Sequence, residues 1–249
     1  MKKYDLRISD IQSGGLHNAI PREGWAVCAV PMQDKEQIRI DANVYAAEIE
    51  EEFSITEKSL NFYVESADAA DVIESESSKK IITSLQAVDN GVFAMCQDID
   101  WLVETSSNLA SIHKKGCTIE VATSQRSNII SARKNMSATV SAAFELAGAD
   151  VHTTDGYPGW KLNPNSDLLK LVVEAYERLY GKSPKVLAIH AGLECGLFSE
   201  KYPHIDMVSF GPTLRGVHSP DEKLLIPTVK KAWDLLLEIL RSIPKKDAQ

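Results

Sequence analysis

Two glycine-containing turns in the last quarter of the chain carry the residues best suited to chemistry. The first, IHAGLECGLF, places His190, Gly192 and Glu194 directly after the apolar run KVLAI, and the second, GPTLRGVHSPDE, places His218 after the apolar run IDMVSF. Polar groups in loops at strand ends are where α/β proteins hold their ligands. The neutral imidazole of His218 suits Zn²⁺ or Mn²⁺. These turns therefore indicate a metal or substrate site.

Each of these residues also has a purely structural interpretation. His218 could be a loop histidine satisfied by a backbone carbonyl, and alone it could not hold zinc, which takes three or four protein ligands. Glu194 could stabilise the next helix through the helix dipole, by about 0.3–1 kcal/mol. His190 could equally be a buried structural imidazole. Asp221 and Glu222 follow His218 too closely to converge on the same ion, so we interpret them as groups that fix its loop.

The elements that position these turns begin with a region that reads as an α/β sandwich. Alternating apolar residues and turn signals predict strands at 4–14, 24–31, 60–67, 101–116 and 117–127. Helical periodicity and stop signals predict helices at 34–56, 77–90 and 131–147. In the first of these helices, Val44, Ala47, Ile49 and Phe53 suit one apolar face.

The composition changes at 150–165, where glycine, proline and asparagine break all periodicity, so we predict a domain boundary there. Beyond it the pattern predicts a helix at 166–180, a strand at 185–189, a short helix at 193–201, a strand at 206–210 and a helix at 224–243. Alternating strands and helices argue for a parallel or mixed sheet flanked by helices.

The bulk properties exclude several classes of protein. The net charge of −8 argues against nucleic-acid binding, because phosphate recognition needs clustered Lys and Arg. No apolar run is long enough for a membrane span, and the first ten residues lack the apolar region of a signal peptide, so we expect a cytoplasmic protein. Four cysteines show no C-x-x-C spacing and are interpreted as buried thiols: Cys28, Cys96, Cys117 and Cys195. The chain has no phosphate-binding P-loop and no G-x-S-x-G turn.

The motifs IHAGLECGLF and GVHSPDE closely resemble those of the aminoacyl-histidine dipeptidases, also called cytosol non-specific or Xaa-His dipeptidases, which belong to a clan of two-metal exopeptidases. The resemblance extends through YPGWKLNPNS at 157–166, Arg126-Ser127 and GGLHNAIPRE at 14–23, and so covers essentially the whole chain. It implies an α/β protein with two parts. Residues 1–150 would form an α+β lid and dimerisation domain that lacks its first segment, and 151–249 the C-terminal part of a mixed α/β metallopeptidase catalytic domain.

The resemblance also implies an activity, the hydrolysis of dipeptides of the Xaa-His or β-Ala-His type. Two divalent ions would activate water, namely Zn²⁺, with Mn²⁺ or Co²⁺ as alternatives, and His218 matches the family's last metal ligand. Gly192 and Glu194 would contact the amino end of the dipeptide. Asn18 and Arg126 would reach across a homodimer to its carboxylate, for which a guanidinium is well suited. Without the resemblance, Asn18 could simply terminate a turn and Arg126 could be a surface charge.

The chain departs from the family pattern where the rest of the site should be. The family's N-terminal segments with the H-x-D metal motif, the Glu-Glu pair with the catalytic base and the further Asp ligand have no counterpart here, and the GGHSG segment is absent. HTTD at 152–155 has one residue too many, and the string HID at 204–206 lies in the last quarter of the chain, away from the position of the family motif. We therefore interpret the chain as a C-terminal half with no catalytic residue of its own, inactive and metal-free when isolated. The rival hypothesis is a non-catalytic remnant that acts as a binding or dimerisation module.

Overall fold

The computed structural model describes residues 4–68, 71–97, 99–156, 158–160, 163, 165–187, 194–217 and 221–244. The chain divides into two compact units. The first contains Met1–Asp89, Asn108–Ser124 and Ala138–His152, and the second contains Asn90–Ser107, Gln125–Ser137 and Thr153–Gln249. The proposed functional boundary near residue 150 stays a prediction. The fold is mixed α/β, as the sequence predicts.

Seven strands and six helices are present in the described residues. The strands are β1 (Arg7–Gly14), β2 (Gly24–Ala29), β3 (Gly91–Met95), β4 (Val103–Lys115), β5 (Thr118–Ser127), β6 (Leu214–Arg215) and β7 (Lys223–Leu224). The helices are α1 (Lys35–Glu52), α2 (Ser75–Ala87), α3 (Ile130–Leu146), α4 (Asp167–Tyr180), α5 (Glu194–Lys201) and α6 (Pro227–Ser242). Most of the predicted elements are confirmed to within a few residues at each end.

In the first unit, β1 pairs antiparallel with β2 on one side and with the far end of β4 on the other. The alternation of apolar residues in β1 places Ile8 in the core, where it is 2% exposed. Ser78 at the start of α2 joins the helix to the strand, because its hydroxyl accepts from Ile8 N at 3.1 Å and donates to the Ile73 carbonyl at 3.2 Å. The helix α2 is thus anchored on β1 through a buried hydroxyl group.

In the second unit, the first half of β4 pairs antiparallel with β3. The strand β5, whose residues up to Ser124 belong to the first unit, pairs with β4, and the turn between them, in the first unit, contains Gly116 in the left-handed region, with φ of 60°. The helices α4 and α6 pack on each other through Val172, Ala175, Leu235 and Ile239. The turn after α4 is closed by Gly181, another left-handed glycine with φ of 64°.

Two predicted strands are wrong, because residues 60–67 form no strand and are exposed, and 206–210 are likewise outside any strand. Of the strand predicted at 185–189, residues 185–187 are outside any strand, and 188–189 lie outside the described residues. A strand exists only where a neighbour satisfies its backbone groups, and within the described residues no ladder reaches these apolar segments. The predicted parallel or mixed sheet is therefore not formed in the described part of 166–249, where β6 and β7 pair antiparallel.

Smaller corrections concern α1 and the cysteines. The buried face of α1 is centred on Ala46, whereas Val44 is 55% exposed. The apolar face predicted from the sequence therefore lies to one side of the face that is buried. The four cysteines are free, and three are half-buried while Cys117 is exposed. Burial raises the pKa of the Cys28 thiol. Among the described helices, none combines the length and apolar character that a membrane span requires.

Candidate functional site

Arg126 is the penultimate residue of β5 and is half-buried. Its neighbours Gln125 and Ser127 bond with side chains of β4, so by strand alternation the Arg126 side chain lies on the opposite face of β5. In the described part of the chain, its guanidinium makes no hydrogen bond and no ion pair. The guanidinium is thus partly desolvated, and its donors have no acceptor among the described residues.

A close backbone contact fixes the chain just after Arg126. A Cβ on Gly159 would lie 2.5 Å from Asn128 Cα and 2.6 Å from the Ser127 carbonyl oxygen, so only glycine fits there without a shift. The side-chain oxygen of Asn128 is buried and has no hydrogen-bond partner among the described residues. Within the second unit, the turn-like segment Pro158-Gly159 therefore packs directly on the end of the strand that carries Arg126.

The same turn packs on the helix that carries Glu194. A Cβ on Gly196, the third residue of α5, would lie 2.4 Å from the Pro158 carbonyl oxygen. Pro158 and Gly159 thus touch α5 on one side and the end of β5 on the other. The structure brings Arg126 and Glu194, 68 positions apart in the chain, onto elements that share one turn. The sequence predicted only a domain boundary at 150–165, and it did not indicate the close contacts of Gly159 and Gly196.

Glu194 is the first residue of α5, and its carboxylate is exposed. It makes no hydrogen bond or ion pair with any described residue. Burial raises the pKa of the neighbouring Cys195 thiol, and the negative charge of Glu194 acts in the same direction. A first-turn carboxylate interacts favourably with the helix dipole, so the structural role considered for Glu194 is compatible with its position. Its oxygens nevertheless remain available to a cation.

Asn18 is exposed in the loop between β1 and β2, in the first unit. Asn108 holds this loop, because its Nδ2 donates to the Ala19 carbonyl at 2.8 Å. The loop begins at Gly14, whose φ is 64°, and a Cβ there would lie 2.1 Å from the Ala110 carbonyl oxygen. The Asn18 side chain has no hydrogen-bond partner among the described residues, so its amide is free to bind a ligand.

His218, Gly192 and His190 lie outside the described residues. The chain on both sides of 216–222 is anchored, because β6 pairs with β7 and Leu225 N donates to the Thr213 carbonyl at 2.9 Å. Among the residues that the structure does describe, no group of three or more His, Cys, Asp or Glu side chains could hold a metal ion.

Comparison with known proteins defines the class. The model of peptidase family M20/M25/M40 matches residues 23–242, and the chain belongs to this family. The chain is 38% identical over 247 residues to the cytosol non-specific dipeptidase of Escherichia coli strain K12, covering 98% of the chain and 51% of that protein. It also matches the crystal structure of the aminoacylhistidine dipeptidase from Vibrio alginolyticus, with a TM-score of 0.83 and 38% identity, over 98% of this chain and 50% of that one. The chain spans about half the length of these relatives.

Proposed function

We propose that these 249 residues are part of a metal-dependent dipeptidase that hydrolyses dipeptides of the Xaa-His and β-Ala-His type. The observation that carries this proposal is the match of nearly the whole chain, at 38% identity, to two dipeptidases. The three candidate substrate-binding residues that the structure describes also support it. The polar groups of Asn18, Arg126 and Glu194 make no hydrogen bond or ion pair with any described residue, as expected of groups that bind an external ligand.

The proposed roles follow from the charges of a dipeptide, which carries an ammonium group at one end and a carboxylate at the other. Reaching across the proposed homodimer, the guanidinium of Arg126 would bind the carboxylate of a dipeptide in the partner subunit's site with two parallel N–H donors, and the amide of Asn18 would add a further donor there. The carboxylate of Glu194 would bind the ammonium group, and Gly192 would let the backbone approach the substrate closely. These contacts orient the dipeptide and select for its length.

His218 is proposed as one metal ligand of the complete enzyme. Two divalent ions, Zn²⁺ or alternatively Mn²⁺ or Co²⁺, would lower the pKa of bound water and polarise the scissile carbonyl. A zinc site needs three or four protein ligands, and the described residues contain no such group. The described residues alone therefore do not fit a metal centre. In this proposal the other ligands and the general base lie in the family's remaining half.

We propose that the protein works as a homodimer formed through residues 1–150. Among the described residues, β2 is an edge strand of its sheet with β1 as its one neighbour, and an unpaired strand edge is a template for pairing with another chain. Trp25 on this edge is half exposed. A cytoplasmic location is proposed from the name of the E. coli relative, a cytosol dipeptidase. Dipeptide substrates are expected to be its ligands, and nucleic acids and membranes are not.

The rival proposal is a non-catalytic module that binds or dimerises without hydrolysing anything. The observation that favours it is that the family's N-terminal H-x-D and Glu-Glu segments have no counterpart in these 249 residues, where H-x-D occurs only as HID at 204–206. On either proposal, the isolated 249-residue chain should show no dipeptidase activity, because loss of a general base alone typically lowers a rate by about 10²–10⁴-fold.

A chimera separates the two proposals. The chain would replace the matched half of the E. coli dipeptidase, and hydrolysis of Ala-His would be measured with Zn²⁺ or Mn²⁺, before and after chelation. Chelator-sensitive hydrolysis by the chimera, with none by the isolated chain, supports the dipeptidase. A chimera that folds and dimerises but hydrolyses neither Ala-His nor β-Ala-His supports the non-catalytic module.

A further inference from the structure

The end of β5 is held by a buried chain of hydroxyl groups that the proposed function does not use. Thr105 Oγ1 and Ser127 Oγ lie 2.9 Å apart across the two strands, and these residues are only 1% and 7% exposed. Ser127 Oγ accepts from Ile129 N at 3.0 Å, and Thr105 Oγ1 donates to Glu104 Oε1 at 3.3 Å. Four groups, two from β4, one from β5 and the Ile129 amide just after β5, therefore form one continuous series of hydrogen bonds.

The direction of this series follows from proton counting. Each hydroxyl has a single proton to donate. Because Thr105 uses its proton on the Glu104 carboxylate, the bond between the hydroxyls must run from Ser127 to Thr105. Each donor thus has its own acceptor. The series ends on the charged carboxylate of Glu104, and this charge strengthens the hydrogen bonds between the hydroxyl groups that lead to it. Removing the Thr105 hydroxyl would leave the buried Ser127 proton without an acceptor and the carboxylate without a donor.

A second contact holds the other neighbour of Arg126. Gln125 Nε2 donates to Ser107 Oγ at 3.2 Å, and Ser107 is also buried. The residues before and after Arg126 are therefore both tied to β4 through their side chains. With both neighbours fixed on one face of β5, the Cα–Cβ direction of Arg126 is fixed on the other face.

We propose that the Thr105–Ser127 hydroxyl pair is a positioning device for Arg126, holding its guanidinium in a defined direction for a carboxylate ligand. Thr105 and Ser127 are positioning residues and do not touch the ligand. The identity of the ligand as a dipeptide carboxylate rests on the proposed function, whereas the positioning itself does not. Fixing a donor before binding lowers the entropic cost of ordering its long side chain when the ligand binds.

The test uses the isolated chain labelled with ¹⁵N-arginine. The Arg126 Nε signal is assigned by its disappearance in Arg126→Lys, and its order is measured by the heteronuclear NOE, with the exposed Arg22 as internal reference. The probe for carboxylate binding is N-acetylhistidine, which has a free carboxylate and no free amine. Thr105→Val removes the hydroxyl at nearly constant shape, and Thr105→Ser retains it.

In the wild-type chain we expect the Arg126 Nε group to be more ordered than that of Arg22. We also expect the chemical shift of its signal to change, up to saturation, as N-acetylhistidine is added. Thr105→Val should reduce its order to that of Arg22 and weaken probe binding about tenfold, the effect of one hydrogen bond. Thr105→Ser should remain within about twofold of the wild type in probe affinity. The matched control is Ser78→Ala, which removes another buried hydroxyl with two hydrogen bonds, in the first unit.

The outcomes are separable. Unchanged order of Arg126 in Thr105→Val overturns the proposal, and so does equal loosening in Ser78→Ala, since the effect would then be general destabilisation. Loosening in Thr105→Ser as large as in Thr105→Val overturns it too, because the hydroxyl would not be the cause. If Thr105→Val loosens Arg126 but the wild-type chain does not bind N-acetylhistidine, the positioning stands and the carboxylate-binding role in the proposed function falls.

Discussion

Ser166 donates a hydrogen bond to Asp206 Oδ2 at 2.7 Å, across 40 positions of the chain. The same carboxylate oxygen accepts from Leu168 N at 3.1 Å, while Ser166 Oγ accepts from Leu169 N at 2.9 Å. Two side chains thus satisfy the first amides of α4 together, which is the task of an N-cap. The contact ties the end of the YPGWKLNPNS motif to the segment that leads toward His218.

This cap should make stability depend on pH. The hydrogen bond from Ser166, together with those from backbone amides, lowers the pKa of Asp206. A carboxyl whose pKa is lower in the folded chain contributes stability above its unfolded pKa of about 3.9, and that contribution is lost as the pH falls through the folded value. Wild type should therefore lose more unfolding free energy than Asp206→Asn between pH 5 and pH 3, measured by urea titration.

The control for the pH experiment is Asp89→Asn, which removes an exposed carboxylate with no hydrogen bond or ion pair to any described residue. Its loss of stability with acid should follow that of the wild type. If Asp206→Asn and Asp89→Asn give the same acid profile, the Ser166–Asp206 contact does not contribute as described.

Gly196→Ala should destabilise the chain, against the usual trend in helices. Alanine normally stabilises a helix relative to glycine by about 0.5–1 kcal/mol. Here the added Cβ would lie 2.4 Å from the Pro158 carbonyl oxygen, so we expect a loss of about 1–3 kcal/mol in unfolding free energy. The matched control is Gly211→Ala, where a Cβ would meet open space. A stabilising Gly196→Ala would mean that α5 does not pack on this turn.

Alanine substitutions of two leucines on α6 should have different effects on stability. Leu235 is buried against α4, and Leu235→Ala should cost about 2–5 kcal/mol of unfolding free energy. Leu240 is 56% exposed, on an outward stripe with Trp233, and Leu240→Ala should change the stability of the isolated chain by less than about 0.5 kcal/mol. In the chimera, we expect Leu240→Ala to cost more, because the remaining half would cover this stripe. If Leu240→Ala changes the unfolding free energy of both proteins by the same small amount, the remaining half does not cover this stripe.

Arg126→Ala should lower kcat/KM of the chimera much more than it lowers stability. Loss of a desolvated charge pair costs about 2–5 kcal/mol of binding, whereas loss of a partly exposed arginine should cost the fold well under 1 kcal/mol. Arg126→Lys should recover only part of the activity, because an ammonium lacks the planar pair of donors. Both quantities should be measured on the same preparations. A near-wild-type kcat/KM for Arg126→Ala, or a large drop in melting temperature, would make Arg126 a structural residue.

Local signals in the sequence were sufficient for most helices and for the strands that pair within the chain. The helix predicted at 166–180 is confirmed as α4, which Ser166 caps at its start and Gly181 ends. The strands predicted at 101–116 and 117–127 are confirmed as β4 and β5, on either side of the turn at Gly116. The apolar segments 60–67 and 206–210 carry the same alternation but form no strand, because alternation describes a strand's faces and not its partners. The short β3 was missed because five residues after a helix stop carry too little periodicity.

In the candidate site, too, some features could be predicted from the local sequence and others could not. Arg126, Glu194 and Asn18 could be selected from motifs, since each stands in a distinctive local string. Contacts between distant segments could not be selected. Nothing in VETSSNL shows that Thr105 and Ser107 face the core, and nothing in YPGW or GLECG shows that their glycines are required by backbone contacts. Those features depend on how separate elements approach, which a single sequence does not encode locally.

The most direct test of the account is the kcat/KM for Ala-His of the chimera carrying His218→Ala, compared with the unsubstituted chimera. His152→Ala serves as the control, because His152 is an exposed histidine close only to Asp150 in the described structure. Substitution of groups that merely support a metal ligand costs about 10–100-fold, so loss of a ligand should lower kcat/KM by more than about 100-fold. His152→Ala should stay near the unsubstituted value. Retention of full, chelator-sensitive activity by the His218→Ala chimera would contradict the account.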